Sequence, residues 1–117
     1  MDKKINDLLK KWEEIYGSSS TYGHETLKNI AINCISLSET WFSKNEQNKK
    51  LSYELALFDK EGIIVETLHG ITKEILPETM LKIIVNDSSL YSKMMLSSFY
   101  FNNGKKETEI IGELEIR

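Results

Sequence analysis

Residues 51–70 read LSYELALFDKEGIIVETLHG, and their alternation decides the fold class. Leu51, Tyr53, Leu55 and Leu57 fall on one side of a period-two strand, and Ile63, Val65 and Thr67 line one face of a returning strand. Between them Asp59-Lys60-Glu61-Gly62 supplies a short connection. Gly62 is free to take the positive φ that such loops commonly need at their last position. The stretch is an antiparallel β-hairpin around which the rest of the chain is organised.

Upstream of it lie two helices. Ile5, Leu8, Leu9, Trp12, Ile15 and Tyr16 recur at the i, i+3, i+4, i+7 spacing of a core-facing amphipathic helix, with Lys4, Asp7, Lys10, Lys11 and Glu14 opposite. Gly17 is placed to end that helix in a left-handed cap. The polar loop Gly17 to Gly23 has the composition of a phosphate cradle but not its spacing. Five residues separate the glycines, and His24-Glu25 follows where Lys and Ser/Thr are required. A linker with a serine or Thr21 capping the next helix is the expectation. From His24 to about Lys44, Leu27, Ile30, Ala31, Cys34, Leu37 and Trp41 form a stripe widened by Ile32, Ile35 and Phe42, which predicts a helix packed on more than one side. Asn45 to Lys50 is a charged turn into the hairpin.

Downstream, Pro77 followed by Glu78 fits the start of a short helix through Met80, Leu81 and Ile84, whereas Ile83-Ile84-Val85 equally fits a strand. The chain closes on a second hairpin. Met95, Ser97, Phe99 and Phe101 alternate with Leu96, Ser98 and Tyr100, and Asn103-Gly104 is a strong two-residue turn signal. The last strand places Thr108, Ile110, Leu114 and Ile116 on one face and Glu107, Glu109, Glu113 and Glu115 on the other. Ile111 interrupts the acidic face, and Gly112 marks a bulge. The expected architecture is α+β, a single domain over residues 1–117, with two N-terminal helices packed on one side of an antiparallel sheet built from two hairpins.

Bulk composition narrows the function classes. A 117-residue chain with 40% hydrophobic residues supports one core, and a single cysteine, Cys34, cannot close an internal disulfide. The N-terminal residues MDKKINDLLKKW lack an apolar signal core, and no run approaches a membrane span, so the cytosol is the expected compartment. Residues 1–50 carry 8 lysines against 7 acids, whereas residues 51–117 carry 7 basic residues against 11 acids. An acidic sheet half argues against nucleic-acid or anionic-membrane binding and suits a basic protein partner.

Catalytic constellations are sparse. Cys34 sits on the apolar stripe, where a thiol is inert packing. His24-Glu25-Thr26-Leu27-Lys28 begins like a zinc-protease helix but has Lys28 where the second histidine must stand. Two histidines and one cysteine leave any zinc site dependent on carboxylates, so neither a metal nor a cofactor is expected. His69 reads as a hydrogen-bonded strand end, and Glu54 and Glu66 as cross-strand neighbours on the polar face of the first hairpin. The candidate site is instead the acidic row Glu107, Glu109, Glu113 and Glu115, with Tyr100 as an aromatic anchor for a basic protein.

The α+β layout, the missing signal peptide and the acidic hairpin Phe99 to Arg117 resemble the small cytosolic immunity proteins that bacteria encode beside secreted or contact-delivered toxins. That resemblance implies a one-to-one complex that blocks a toxin's active site, often a basic nuclease, with acidic side chains in place of phosphates. Two other classes compete with it. One is an adaptor or scaffold that pairs through an exposed strand edge. The other is a small-ligand binder or enzyme with a pocket between the second helix and the sheet, lined by Tyr53, Trp41 and Phe99.

Overall fold

A computed structural model describes residues 2–16, 24–43 and 51–116. Helices α1 (Asp2–Tyr16) and α2 (His24–Ser43) precede strands β1 (Ser52–Phe58) and β2 (Ile64–His69). Helix α3 (Leu76–Asn86) then leads to β3 (Lys93–Asn102) and β4 (Lys105–Glu115). The four strands form one antiparallel sheet in the order β2-β1-β3-β4, so the fold is α+β with both N-terminal helices ahead of the sheet. The cap expected at Gly17, the polar linker to Gly23 and the turn from Asn45 to Lys50 lie outside the described residues.

Each helix follows from its apolar spacing. Ile5, Leu8, Leu9 and Trp12 of α1 are buried, as are Leu27, Ala31, Cys34, Ile35, Ser38, Trp41 and Phe42 of α2. Ile30, Ile32 and Leu37 pack against the same core from the flanks, which is the multi-sided packing that the broad stripe of α2 demands. The 77–86 segment is helical. Pro77 stands in the first turn, where no intrahelical N–H is missed, and Leu76, Met80, Leu81 and Ile83 are buried at helical spacing. The strand propensity of Ile83-Ile84-Val85 is overridden because only a helix carries all four buried side chains to one side.

The two hairpins turn as their sequences require. Gly62 has φ +79°, and the Asp59 carboxylate accepts the N–H groups of Glu61 and Ile63 at 2.9 and 3.0 Å. Asn103 and Gly104 both have positive φ, 54° and 80°, the geometry of a two-residue hairpin turn. Between the hairpins, α3 carries the chain from β2 across to β3, which pairs with the other side of β1.

Strand register assigns the faces. Tyr53, Leu55 and Leu57 of β1 lie beside Ser98, Leu96 and Met94 of β3 and face the helices. The Phe42 and Tyr53 rings meet at 4.6 Å there. The opposite face is covered by no helix among the described residues and is built from Glu54, Ala56 and Phe58 beside Ser97, Met95 and Lys93. On β2 the expectation that Ile63, Val65 and Thr67 line a face needs correction. Ile63 precedes the strand, the register slips between Leu57 and Phe58, and Leu68 with Glu66 takes the helix side.

A bulge in β4 has the largest structural consequence. Leu96 pairs with Gly112 and Ser97 with Ile110, leaving Ile111 as the extra residue. The expected bulge is therefore present, with Ile111 buried and Ile110 turned outward. Gly112 lies under the indole of buried Trp41, and a Cβ there would overlap the ring. The missing side chain admits the C-terminal end of α2 onto the sheet. Gly112→Ala is expected to lower stability by about 1–3 kcal/mol, because a rigid buried ring must shift to admit the methyl. Denaturant unfolding should show a lower midpoint with an unchanged slope, and a wild-type midpoint would show that Trp41 yields freely.

Candidate functional site

The β3–β4 hairpin is longer than the sheet it belongs to. β1 pairs with β3 only from Lys93 to Phe99, so Tyr100 to Asn102 and their partners Lys105 to Glu107 extend past β1 as a two-stranded arm. Its turn is the Asn103-Gly104 pair. The arm and the strand residues at its base present different chemistry on their two sides. Tyr100 stands opposite Glu107, and Glu109 is opposite Ser98, all on the side that faces the helices farther along the strand. Phe101 and Ile110 point to the other side, 67% and 58% exposed, with Phe99 and Thr108 between them.

This arrangement divides the expected acidic row. Glu107 and Glu109 share a face, but the bulge at Ile111 inserts one residue, so Glu113 and Glu115 lie opposite Met95 and Lys93 on the other face. Glu113 is also in an ion pair with Lys93 at 3.6 Å. The compact acidic feature is therefore Glu107 and Glu109 with Tyr100, which is 43% exposed. Phe101 and Ile110 were not recognised as site residues from sequence. The signal for Ile110 is the Ile110-Ile111 doublet, because successive strand residues point to opposite faces and burial of Ile111 turns Ile110 outward.

Two lysines cover the open face. The Lys106 Nζ lies 4.4 Å above the Phe99 ring and 3.3 Å from both carboxylate oxygens of Glu54, and His69 Nδ1 approaches the same carboxylate at 3.5 Å. The Lys93 Nζ lies 4.4 Å above Phe58. Aliphatic lysine stems thus shield the middle of this face from water while the ammonium groups satisfy Glu54 and Glu113. His69 is the last residue of β2. Glu54 and Glu66 are not neighbours. Glu54 pairs with His69 on the open face, whereas Glu66 pairs with Leu57 on the helix side and accepts the Tyr91 hydroxyl at 2.6 Å. That hydrogen bond is the main reason the Tyr91 hydroxyl is pushed up to about 12.

The expected ligand pocket between α2 and the sheet does not assemble. Trp41 packs on Gly112 and Tyr53 on Phe42 within the helix-side layer, while Phe99 lies across the sheet on the open face. A cleft of about 450 Å³ does exist among α1, α2 and the start of α3. Ion pairs from Lys4 to Glu39 at 2.9 Å and from Lys11 to Glu78 at 2.6 Å occupy charged groups of its rim. Among the described residues, no group of three or more His, Cys, Asp or Glu side chains is placed to hold a metal ion, and no helix is long and apolar enough to cross a membrane.

Comparison of the chain with protein-family models, curated proteins and solved structures gives no match.

Cys34 is almost fully enclosed, and burial pushes its thiol up to about 12. The folded state therefore favours the neutral thiol. Its contribution to stability is complete below the unfolded-chain value near 9 and is lost as pH rises towards 12. Iodoacetamide at pH 9 should alkylate the native protein far more slowly than the urea-unfolded chain. Equal rates would show that Cys34 is accessible as a thiolate.

Proposed function

We propose that the chain is a non-enzymatic binding protein that engages a basic protein domain through the β3–β4 arm. The fuller reading is a cytosolic immunity protein that neutralises a cognate toxin, such as a basic nuclease, by covering its active site. The observation that carries it is the projecting arm with the strand at its base, which sets Tyr100, Glu107 and, at the base, Glu109 on one side and exposed Phe101 and, at the base, Ile110 on the other.

Those features suit an inhibitor. An aromatic side chain with a polar tip fills a pocket at modest entropy cost, and flanking carboxylates complement lysines and arginines that would otherwise bind phosphates. Long-range attraction from the acidic sheet half accelerates encounter, and apolar contact by Phe101 or Ile110 slows dissociation. A two-stranded arm reaches into a cleft that a flat sheet face cannot enter. The enclosed Cys34 thiol supports a packing role for that residue over a nucleophilic one.

The test is binding to the basic C-terminal domain of a secreted protein encoded immediately upstream of this chain's gene. Co-purification of the two is the expected result, and its absence overturns the inhibitor reading. Glu107→Lys combined with Glu109→Lys should slow association about 10-fold or more at low salt and flatten its salt dependence. Tyr100→Ala should cost about 2 kcal/mol, mostly as faster dissociation. Complex formation with wild-type affinity in all these variants would place the interface elsewhere on the protein.

A further inference from the structure

The two edges of the sheet are built differently. β4 carries Lys105, Lys106, Glu107, Glu109, Glu113 and Glu115 and is interrupted by the Ile110–Gly112 bulge, devices that keep an edge from pairing with another strand. β2 has neither lysine nor proline. Ile64 and Val65 at its start and Ile63 just before it are between 50% and 57% exposed, and the backbone groups on its outer side face no strand among the described residues. Regular pairing with β1 holds from Glu66 to His69, with Val65 the extra residue at the slip.

We propose that β2 pairs antiparallel with β2 of a second copy of this chain, joining the two sheets into one continuous eight-stranded sheet. The register follows from the side chains. A two-fold axis perpendicular to a continuous sheet must set some residue opposite itself, since opposed residues share a face. An axis at Glu66 would oppose two like charges, and one at Val65 would fall on the irregularity. An axis at Thr67 centres the pairing on Glu66 to Leu68, inside the regularly paired stretch, with Val65 at its margin. It places Thr67 against Thr67 on the open face, a favourable cross-strand pair, and Glu66 against Leu68 on the helix side, and brings Val65 against His69 at the margin.

The two Glu66 carboxylates are diagonal and not directly opposed in this register, each is held by the Tyr91 hydroxyl of its own chain, and Gly70, at φ +69°, ends the strand just beyond the paired stretch. The β3–β4 arm belongs to the opposite half of the sheet, so pairing through β2 leaves both arms free at the two ends. The inference therefore stands independently of the inhibitor reading.

Single-cysteine crosslinking tests the register, with Cys34 too enclosed to compete. Directly opposed Thr67 residues have Cα atoms about 4.5–5.5 Å apart, within disulfide reach. The two Glu66 positions are about 8 Å apart in this register, beyond it. Under mild oxidation Thr67→Cys should form a covalent dimer rapidly and Glu66→Cys should not. Sedimentation of the wild-type chain should show a concentration-dependent dimer, and Val65→Lys should weaken it at least 10-fold while leaving the circular dichroism spectrum unchanged. A wild-type chain that stays monomeric, a dimer indifferent to Val65→Lys, or crosslinking as fast at 66 as at 67 overturns the proposal.

Discussion

The contact of the Trp41 indole with the bare backbone of Gly112 is the constraint on which the arrangement of this fold rests. α2 is the longest helix, and its C-terminal end carries both Trp41 and Phe42 into the core. A large aromatic ring approaches a strand backbone this closely only where no Cβ stands. The same position closes the β4 bulge, so the site that admits the helix also reverses the facing of the strand beyond it. Packing of the helical layer and the chemistry shown by the arm are thus linked through one glycine.

The open face illustrates how a sheet covered on one side only remains compatible with water. Phe58 and Phe99 are not hidden by a second layer but by Lys93 and Lys106, whose ammonium groups sit above the rings and whose charges meet Glu113 and Glu54. Individually these exposed pairs contribute little stability. Their effect is spatial. On the strands themselves the exposed aliphatic and phenyl side chains are left at two places, Phe101 and Ile110 on the β3–β4 hairpin and Ile64 and Val65 on β2, which lie on opposite halves of the sheet.

How far the site was legible follows from the same bulge. A strict period of two puts Glu107, Glu109, Glu113 and Glu115 in one row, and Gly112 was recognisable as a bulge position. A period of two continued through Gly112 ignores the residue inserted there, and that one residue moves half the row to the other face. The supposed pairing of Glu54 with Glu66 fails for a related reason: Val65 is an extra residue at the slip between Leu57 and Phe58, and it puts the two glutamates on opposite faces. Likewise Tyr53 and Phe99 belong to adjoining strands with adjacent registers, and one position of offset separates them by the thickness of the sheet.

By itself the sequence determined the elements: the apolar stripes of α1 and α2, the strands on either side of Asp59–Gly62, and the Asn103-Gly104 turn. These depend on local chemistry, on the 3.6 and 2.0 periodicities and on the few residues that accept positive φ. Tertiary structure alone decided that residues 76–86 are helical, because burial of Leu76, Met80, Leu81 and Ile83 against the core outweighs the strand preference of a β-branched run. It also decided the order β2-β1-β3-β4, the division of the glutamates and which sheet edge is left bare. Strand order and facing depend on contacts between residues far apart in the chain, and a local pattern does not encode its partner.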